Sequence, residues 1–365
     1  MSTSGIIPSL DGFRAIAIAI VFAGHARLTP GIPGGYGVTI FFFLSGFLIT
    51  SLLIREYDRY GSISFPAFFA RRVLRLLPPL AATLAVGILL VLVGRVPGDL
   101  DLQTFASQIL FYYNYFYVYG AGESSVEGTS ILWSLSVEEH FYLVWPVMFL
   151  IIVRGKIGLR LIVTVLVAIP IWRAIRFLVW GDSEWVIYSL TDTRFDGMLY
   201  GCLLALMIAQ GSAEKLFTQT APRRAFYLCG AVLLTLATLA FRDPLFRSTL
   251  RYSLQGIALM PLFYYAVTRP NLSVFQPLNW GWVRWLGTMS YTFYISHYII
   301  IYVFKGYGLF DRNYGLFFVA TVSTALLWSA AVYYILERPL TPLRKRLIGH
   351  AAPPVSSHNS IAEKT

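Results

Sequence analysis

Residues 9–28 read SLDGFRAIAIAIVFAGHARL, and how this stretch is read decides what kind of protein the chain is. Its middle is apolar enough for lipid, yet Arg14 and His25 sit on it. Eleven residues at 100° each come to about 1100°, only ~20° past three full turns, so the two side chains share one helix face. At 1.5 Å per residue they stand roughly 16 Å apart along the axis. A guanidinium at one level and a titratable imidazole half a membrane away suit a long ligand held along the helix, its anionic end at the arginine and its reactive end at the histidine. The competing reading has Arg14 snorkelling to the interface and pairing with Asp11 one turn earlier, with His25 hydrogen-bonded near the surface.

The rest of the chain supports a membrane setting. Of its 365 residues 57% are hydrophobic and only 13% charged, about half the charged share of a soluble domain. Apolar runs of membrane-crossing length recur from end to end, and the alternating ten-residue segments of a β-barrel are absent. The fold expected is all-α, a polytopic transmembrane helical bundle. The net charge of +11 fits basic residues collecting in cytoplasmic loops, so no nucleic-acid partner is expected. Cys202 and Cys229 fall inside apolar runs and read as packing residues. No basic cluster precedes the first apolar run, which is therefore read as a mature span rather than a signal peptide.

Ten spans are expected, at residues 9–27, 36–54, 74–94, 133–153, 158–180, 194–211, 225–241, 252–268, 286–305 and 315–336. The stretch TFASQILFYYNYFYVYG at 104–120 competes for an eleventh. Loop charge decides against it. The segment with Arg55, Arg59, Arg71, Arg72 and Arg75 and the segment with Arg154, Lys156 and Arg160 should both be cytoplasmic, and two spans already separate them. The tyrosine-rich stretch then reads as interfacial or re-entrant on the outer side. Both termini come out cytoplasmic. Residues 1–346 form one membrane-embedded domain, and the polar, Pro-containing 347–365 reads as a disordered cytoplasmic tail. No internal repeat of the kind that builds many transporters is evident.

Ionisable residues inside spans are costly and mark candidate sites. Arg72 and Arg75 lie one turn apart at the cytoplasmic start of the third span and fit a phosphate-binding wall at Arg14's level. In ILWSLSVEEHFYLVWP, Ser134, Glu138 and Tyr142 follow i, i+4 spacing and share a face. Glu138 enters near the depth assigned to His25, where a carboxylate would fix the imidazole tautomer and stabilise its cation, as in acyl-transfer triads. Glu139 and His140 point elsewhere. TRFDGMLYG brings Arg194 and Asp196, either an internal ion pair or a wall of the acceptor site, with Gly197 and Gly201 spaced for close helix packing. Ser45 stands mid-span in GVTIFFFLSGFLIT, as a hydrogen-bond donor or bonded to its own backbone. Tyr291, Tyr294 and His297 recur at intervals of three on the ninth span, lining a cavity or packing as aromatics.

These residues together resemble a known family. Arg14-x10-His25, FFFLSGFLIT, RRVLRLLPP, WSLSVEEHFYLVWP, TRFDGMLYG, LGTMSYTFYISH and LERPL occur in the order seen in acyltransferase family 3, from about residue 8 to 343. The resemblance implies an integral-membrane O-acyltransferase with ten spans, cytoplasmic acetyl-CoA as donor, no metal, and a hydroxyl of an exported or cell-envelope glycan or glycolipid as acceptor. It implies a bacterial inner (cytoplasmic) membrane location, and a stand-alone form without a fused esterase-like domain. The family's essential Arg and His match Arg14 and His25, its Arg-x-x-Arg pair matches Arg72 and Arg75, and its embedded Glu matches Glu138. The site expected is therefore His25 and Glu138 as catalytic residues, with Arg14, Arg72 and Arg75 on the donor. Ser45, Arg194, Asp196 and Tyr291 are expected near the acceptor. In that scheme His25, oriented by Glu138, is the general base, and an acyl-histidine intermediate is the less favoured variant. The alternatives are a proton-coupled small-molecule transporter with His25, Glu138 and Asp196 as relay, or the same chemistry on peptidoglycan or a macrolide-like small molecule.

Overall fold

The computed structural model describes residues 8–29, 31–120, 126–155, 158–217 and 220–347, and among them there is helix and no strand. In chain order the helices are α1 (Pro8–His25), α2 (Gly34–Tyr60), α3 (Phe65–Leu92), α4 (Leu102–Ile109), α5 (Tyr113–Tyr119) and α6 (Trp133–Arg154). Next come α7 (Leu159–Leu178), α8 (Glu184–Ser189), α9 (Phe195–Ala209), α10 (Ser212–Leu216), α11 (Ala221–Ala240) and α12 (Pro244–Ser248). The chain closes with α13 (Arg251–Thr268), α14 (Gly281–Thr288), α15 (Ser290–Gly306), α16 (Leu309–Arg312), α17 (Tyr314–Val332) and α18 (Arg338–Arg346). The proposed tail lies, from residue 348 onward, outside the described residues.

Six helical segments are long and apolar enough to cross a membrane: Gly34–Tyr60, Phe65–Leu92, Ser130–Arg154, Leu159–Leu178, Ala221–Ala240 and Tyr314–Arg344. The protein is an integral membrane protein. The four remaining expected spans correspond to α1, α9, α13 and α15, and they fall short for a reason visible in their sequences. Helices α9 and α15 have 15 and 17 residues, below the roughly 20 that a bilayer core requires. Helices α1 and α13 have 18 residues each but carry Asp11, Arg14 and His25, or Arg251, Ser253 and Gln255. These four form the protein-facing centre, whereas the membrane-length windows of α7, α11 and α17–α18 are only 28%, 17% and 28% buried. A helix wrapped by others needs neither full length nor an apolar circumference.

The centre is held by α2 against α9, the most extensive helix pairing in the chain. Glycines set that distance. A Cβ on Gly46 would lie 1.9 Å from the Met198 carbonyl oxygen, and one on Gly201 would lie 2.0 Å from that of Phe43, so the two backbones meet as in small-residue membrane packing. The stretch 104–120 is not one helix: α4 ends at Ile109, Phe111 takes a left-handed φ of 58°, and α5 starts at Tyr113. Neither half is long enough to span. Both cysteines are free thiols, Cys202 buried and Cys229 exposed.

Candidate functional site

Five helices converge on one cavity of about 140 Å³. Helix α1 contributes Arg14, α2 contributes Ser45, α3 contributes Arg72 and Arg75, and α6 contributes Ser134, Glu138 and Tyr142. Helix α15 adds Tyr291 and Tyr294. The i, i+4 spacing on α6 works as read: one face of that helix delivers three polar side chains to a single wall. Ser45 donates to the Glu138 carboxylate, Tyr142 also donates to Glu138, and the Ser45 and Tyr142 hydroxyls touch each other. Arg72 lies over the Tyr142 ring, 4.1 Å from its centroid. Arg14 has Asp11 as its partner at 2.6 Å, so the interfacial pairing and the cavity-lining position hold together. Among the described residues, neither Arg72 nor Arg75 has a carboxylate within ion-pair distance. Tyr291 donates to the Leu76 carbonyl at 2.9 Å, and Ser134 and Tyr294 share a hydrogen bond of 2.6 Å.

A second space of about 220 Å³ adjoins the first. Leu52, Arg72 and Arg75 stand in the walls of both, and Arg71 and Arg344 lie on its far side. A cavity near 150 Å³ holds something the size of benzene. The inner chamber therefore suits the small reactive end of a ligand, with more room for an anionic remainder in the arginine-lined chamber beside it.

His25 is elsewhere. It lines a separate, open cavity of about 800 Å³ together with Trp185, Tyr188, Arg251 and Gln255. Its partner is not Glu138, as the sequence led one to expect, but His297 on α15, with His25 Nδ1 at 2.8 Å from His297 Nε2. Glu138 is turned toward Ser45 and Tyr142 instead. The tautomers follow from the partners. His297 Nδ1 lies 2.6 Å from the Tyr294 carbonyl oxygen, which only accepts, so His297 carries its proton on Nδ1 and accepts at Nε2. His25 must then donate from Nδ1, which leaves its Nε2 lone pair free. Tyr298 stacks on the His25 ring at 4.5 Å and holds its plane. Tyr294 and His297 link the two cavities, since Tyr294 lines the first and its carbonyl anchors the histidine that holds His25.

Arg194 and Asp196 do not line either cavity and do not pair with each other. Asp196 forms a fully buried ion pair with Arg173 of α7 at 2.9 Å, both side chains at most 1% exposed, and accepts from Ser253 at 2.7 Å. Arg194 stacks on Tyr252 at 3.8 Å and donates to Thr39. The acceptor-wall expectation for the pair is corrected to a structural ion pair for Asp196, because Arg173 enters the same buried level from α7. A relay through His25, Glu138 and Asp196 is likewise not assembled, since each belongs to a different hydrogen-bonded set. Arg173 was not singled out in the sequence, although it is a charged residue five positions from the end of an apolar helix. His297 was noted only as one of an aromatic series, and six residues from Tyr291 turn it about 120° around the helix, away from that cavity and toward His25. Among the described residues no group of three or more His, Cys, Asp or Glu side chains is placed to hold a metal.

The bundle, with charged and polar side chains gathered around cavities between its helices, defines an integral membrane protein. The chain belongs to acyltransferase family 3: residues 7–334 match that family, described as "Acyltransferase domain". It is 30% identical over 353 residues to "Putative peptidoglycan O-acetyltransferase YrhL" of Bacillus subtilis, covering 92% of this chain and 55% of that protein. It is 27% identical to "Peptidoglycan O-acetyltransferase OatA" of Listeria monocytogenes over 81% of this chain and 49% of that one. The match to "O-acetyltransferase OatA" of Staphylococcus aureus is also 27% identical, over 93% of this chain and 57% of the relative. The chain spans about half the length of the curated relatives it matches. No solved structure matches it.

Proposed function

We propose that the protein is a membrane O-acetyltransferase that passes an acetyl group from cytoplasmic acetyl-CoA to a hydroxyl of a cell-envelope glycan, with peptidoglycan, named for its relatives, as the first acceptor to examine. The single observation that carries this reading is a pair of cavities linked through Tyr294 and His297, one lined by three arginines and one presenting a histidine lone pair. In this reading the ten helices cross a bacterial cytoplasmic membrane with both termini inside, and the arginine cavity opens to the cytoplasm.

The donor residues fit an anionic thioester on their chemistry. Arg72 and Arg75 lack carboxylate partners among the described residues, and arginine binds phosphate oxygens through its planar fork. Arg14, Arg72 and Arg75 would hold the phosphates, while the inner chamber is sized for the acyl end. When bound, acetyl-CoA supplies a thioester carbonyl as electrophile. Tyr142 and Ser45, already oriented on Glu138, provide hydroxyls at the chamber's wall. His25 Nε2 accepts the proton of the acceptor hydroxyl as that oxygen forms the new ester bond and the carbon–sulfur bond breaks. The proton on His25 then goes to the departing thiolate. His297 holds the imidazole in the tautomer that makes this possible. Tyr294 and His297 separate the two ligands at rest, so the side chain of Tyr294 is the one that must give way for transfer.

The test is direct. Membrane vesicles containing the full chain, given acetyl-labelled acetyl-CoA and an envelope glycan fraction, should move label to glycan as base-labile ester. Labelled donor that is consumed without any glycan becoming labelled, or that is not consumed at all, would refute the reading.

A further inference from the structure

The cavity around His25 carries a charge pattern that base catalysis alone does not need. Arg242, Arg247 and Arg251 line it beside Trp185, Tyr188 and Tyr252. Glu184 is the one carboxylate on its wall among the described residues, and it is taken by Arg247 at 3.1 Å. The Nε atoms of Arg247 and Arg251 are buried with no hydrogen-bond partner among the described residues. A fourth guanidinium stands behind that wall. Arg194 stacks on Tyr252 at 3.8 Å and on Tyr188 at 5.0 Å, its Nε and Nη1 buried and likewise unpartnered. Asp196, the nearest carboxylate in sequence, is committed to Arg173 and Ser253.

Three guanidinium groups against one carboxylate on the wall, with Arg194 behind it, give the concave surface a strong positive field. Buried N–H donors without acceptors cost free energy and persist where a ligand completes them. The placement adds weight. On the ten-span arrangement, residues 242–251 form an outward loop, where basic residues are ordinarily scarce. Three arginines in ten residues there run against the usual distribution, and the same three side chains converge on the cavity that holds His25. The aromatic rings interleaved with them present flat apolar faces of the kind on which the C–H face of a pyranose rests.

We infer that this cavity selects an acceptor sugar carrying an anionic group, held by Arg251 and Arg247 while its ring lies against Trp185 and Tyr188. The anion is a carboxylate on the sugar or a phosphate joining the sugar to a lipid, since both present paired oxygens to a guanidinium fork. The inference rests on the glycan-acceptor reading above. It predicts that the neutral form of the same sugar chain is a poor acceptor, whatever hydroxyl is acetylated.

The experiment supplies vesicles of the full chain with labelled acetyl-CoA and matched acceptors. These are a hexuronate-containing oligosaccharide with its carboxyl-reduced form, a polyprenyl-pyrophosphate disaccharide with the same disaccharide freed of pyrophosphate, and the total envelope glycan before and after carboxyl reduction. Removing the anion should lower transfer by about tenfold or more, as expected for losing a charge-assisted bidentate contact. The carboxyl and pyrophosphate arms tell which anion is read. Arg251→Gln and Arg247→Gln should raise the KM for the charged acceptor by about tenfold, with the loss falling on acceptor KM rather than on donor KM, and Arg251→Lys should recover part of it. Equal labelling of charged and neutral partners by the wild type overturns this inference alone. Label entering no glycan from the wild type overturns the acetyltransferase reading and this inference with it.

Discussion

The two cavities linked through Tyr294 and His297 are built by different rules. The arginine cavity is small, and its Ser45, Tyr142 and Glu138 are bonded to one another. The His25 cavity is nearly six times larger by volume, about 800 against 140 Å³, and leaves arginine donors without partners. A Ser–Tyr–Glu set that is bonded together before anything binds is preorganised, because little ordering is left to be done on binding. A wide site with unspent donors accepts larger partners and discriminates by charge. In the proposed reading the contrast fits the small acyl end of a fixed donor on one side and a bulky glycan on the other. It also separates the two functions physically, so substitutions in one cavity should leave the other's ligand alone.

His25→Ala is the hardest test of that separation. It should reduce acetyl transfer by about 10²–10⁴-fold, the usual contribution of a general base, while the dissociation constant for acetyl-CoA, measured by titration on the purified protein, stays within about twofold. A donor affinity that collapses with the histidine would mean the two cavities act as one site.

Arg75→Ala probes the other side. Losing a charge-assisted contact to phosphate should weaken acetyl-CoA binding by about 1.5–3 kcal/mol, or roughly 10–100-fold, with the glycan KM unmoved. Arg75→Lys should recover only part, because an ammonium is a point charge without the planar fork. Full recovery with lysine would show that charge alone matters there.

His297→Ala addresses the wall between the cavities. Without an acceptor for its Nδ1 proton, the His25 ring is free to take the unproductive tautomer. The loss should be about tenfold and should fall on kcat, with both KM values little changed. His297→Gln, whose side-chain oxygen can still accept from His25, should regain much of it. Equal loss in both variants, accompanied by a lowered unfolding temperature, would assign His297 to packing.

How far the sequence went differs between these regions for physical reasons. The arginine cavity was largely legible, because its members are charged or polar residues at helical spacing in otherwise apolar helices, and lipid tolerates few of those. Arg72 and Arg75 one turn apart, and Ser134, Glu138 and Tyr142 on one face, needed only helix geometry. The His25 partner was not legible. Depth along the membrane was readable for Glu138, but which neighbour faces a side chain depends on helix rotation and packing, and α15 rather than α6 lies against that end of α1. Asp196 shows the same limit, since the Arg173 that neutralises it lies 23 residues upstream on another helix. The span count was blurred at the centre because helices shielded by protein, such as α9 and α15, are free to be short. The break at Phe111, by contrast, agrees with loop charge having argued against a span over 104–120.

The finest test concerns Asp11, where the competing readings of Arg14 turn out to share one geometry. Asp11 holds Arg14 at 2.6 Å with both side chains 17–18% exposed, and Arg14 also lines the arginine cavity. A partly exposed pair of this kind contributes at most about 1 kcal/mol, so its loss should scarcely move stability. Its effect on binding has the opposite sign to that of Arg75. An anionic donor must compete with the Asp11 carboxylate for the Arg14 guanidinium, and Asp11→Asn removes the competitor while keeping the shape. Acetyl-CoA should then bind about two- to threefold more tightly, an effect below 1 kcal/mol, and the gain should shrink as salt screens the interaction. Weaker binding in Asp11→Asn would mean that the carboxylate aims Arg14 at the ligand instead of withholding it, and Arg14 would then depend on Asp11 for its place in the donor cavity.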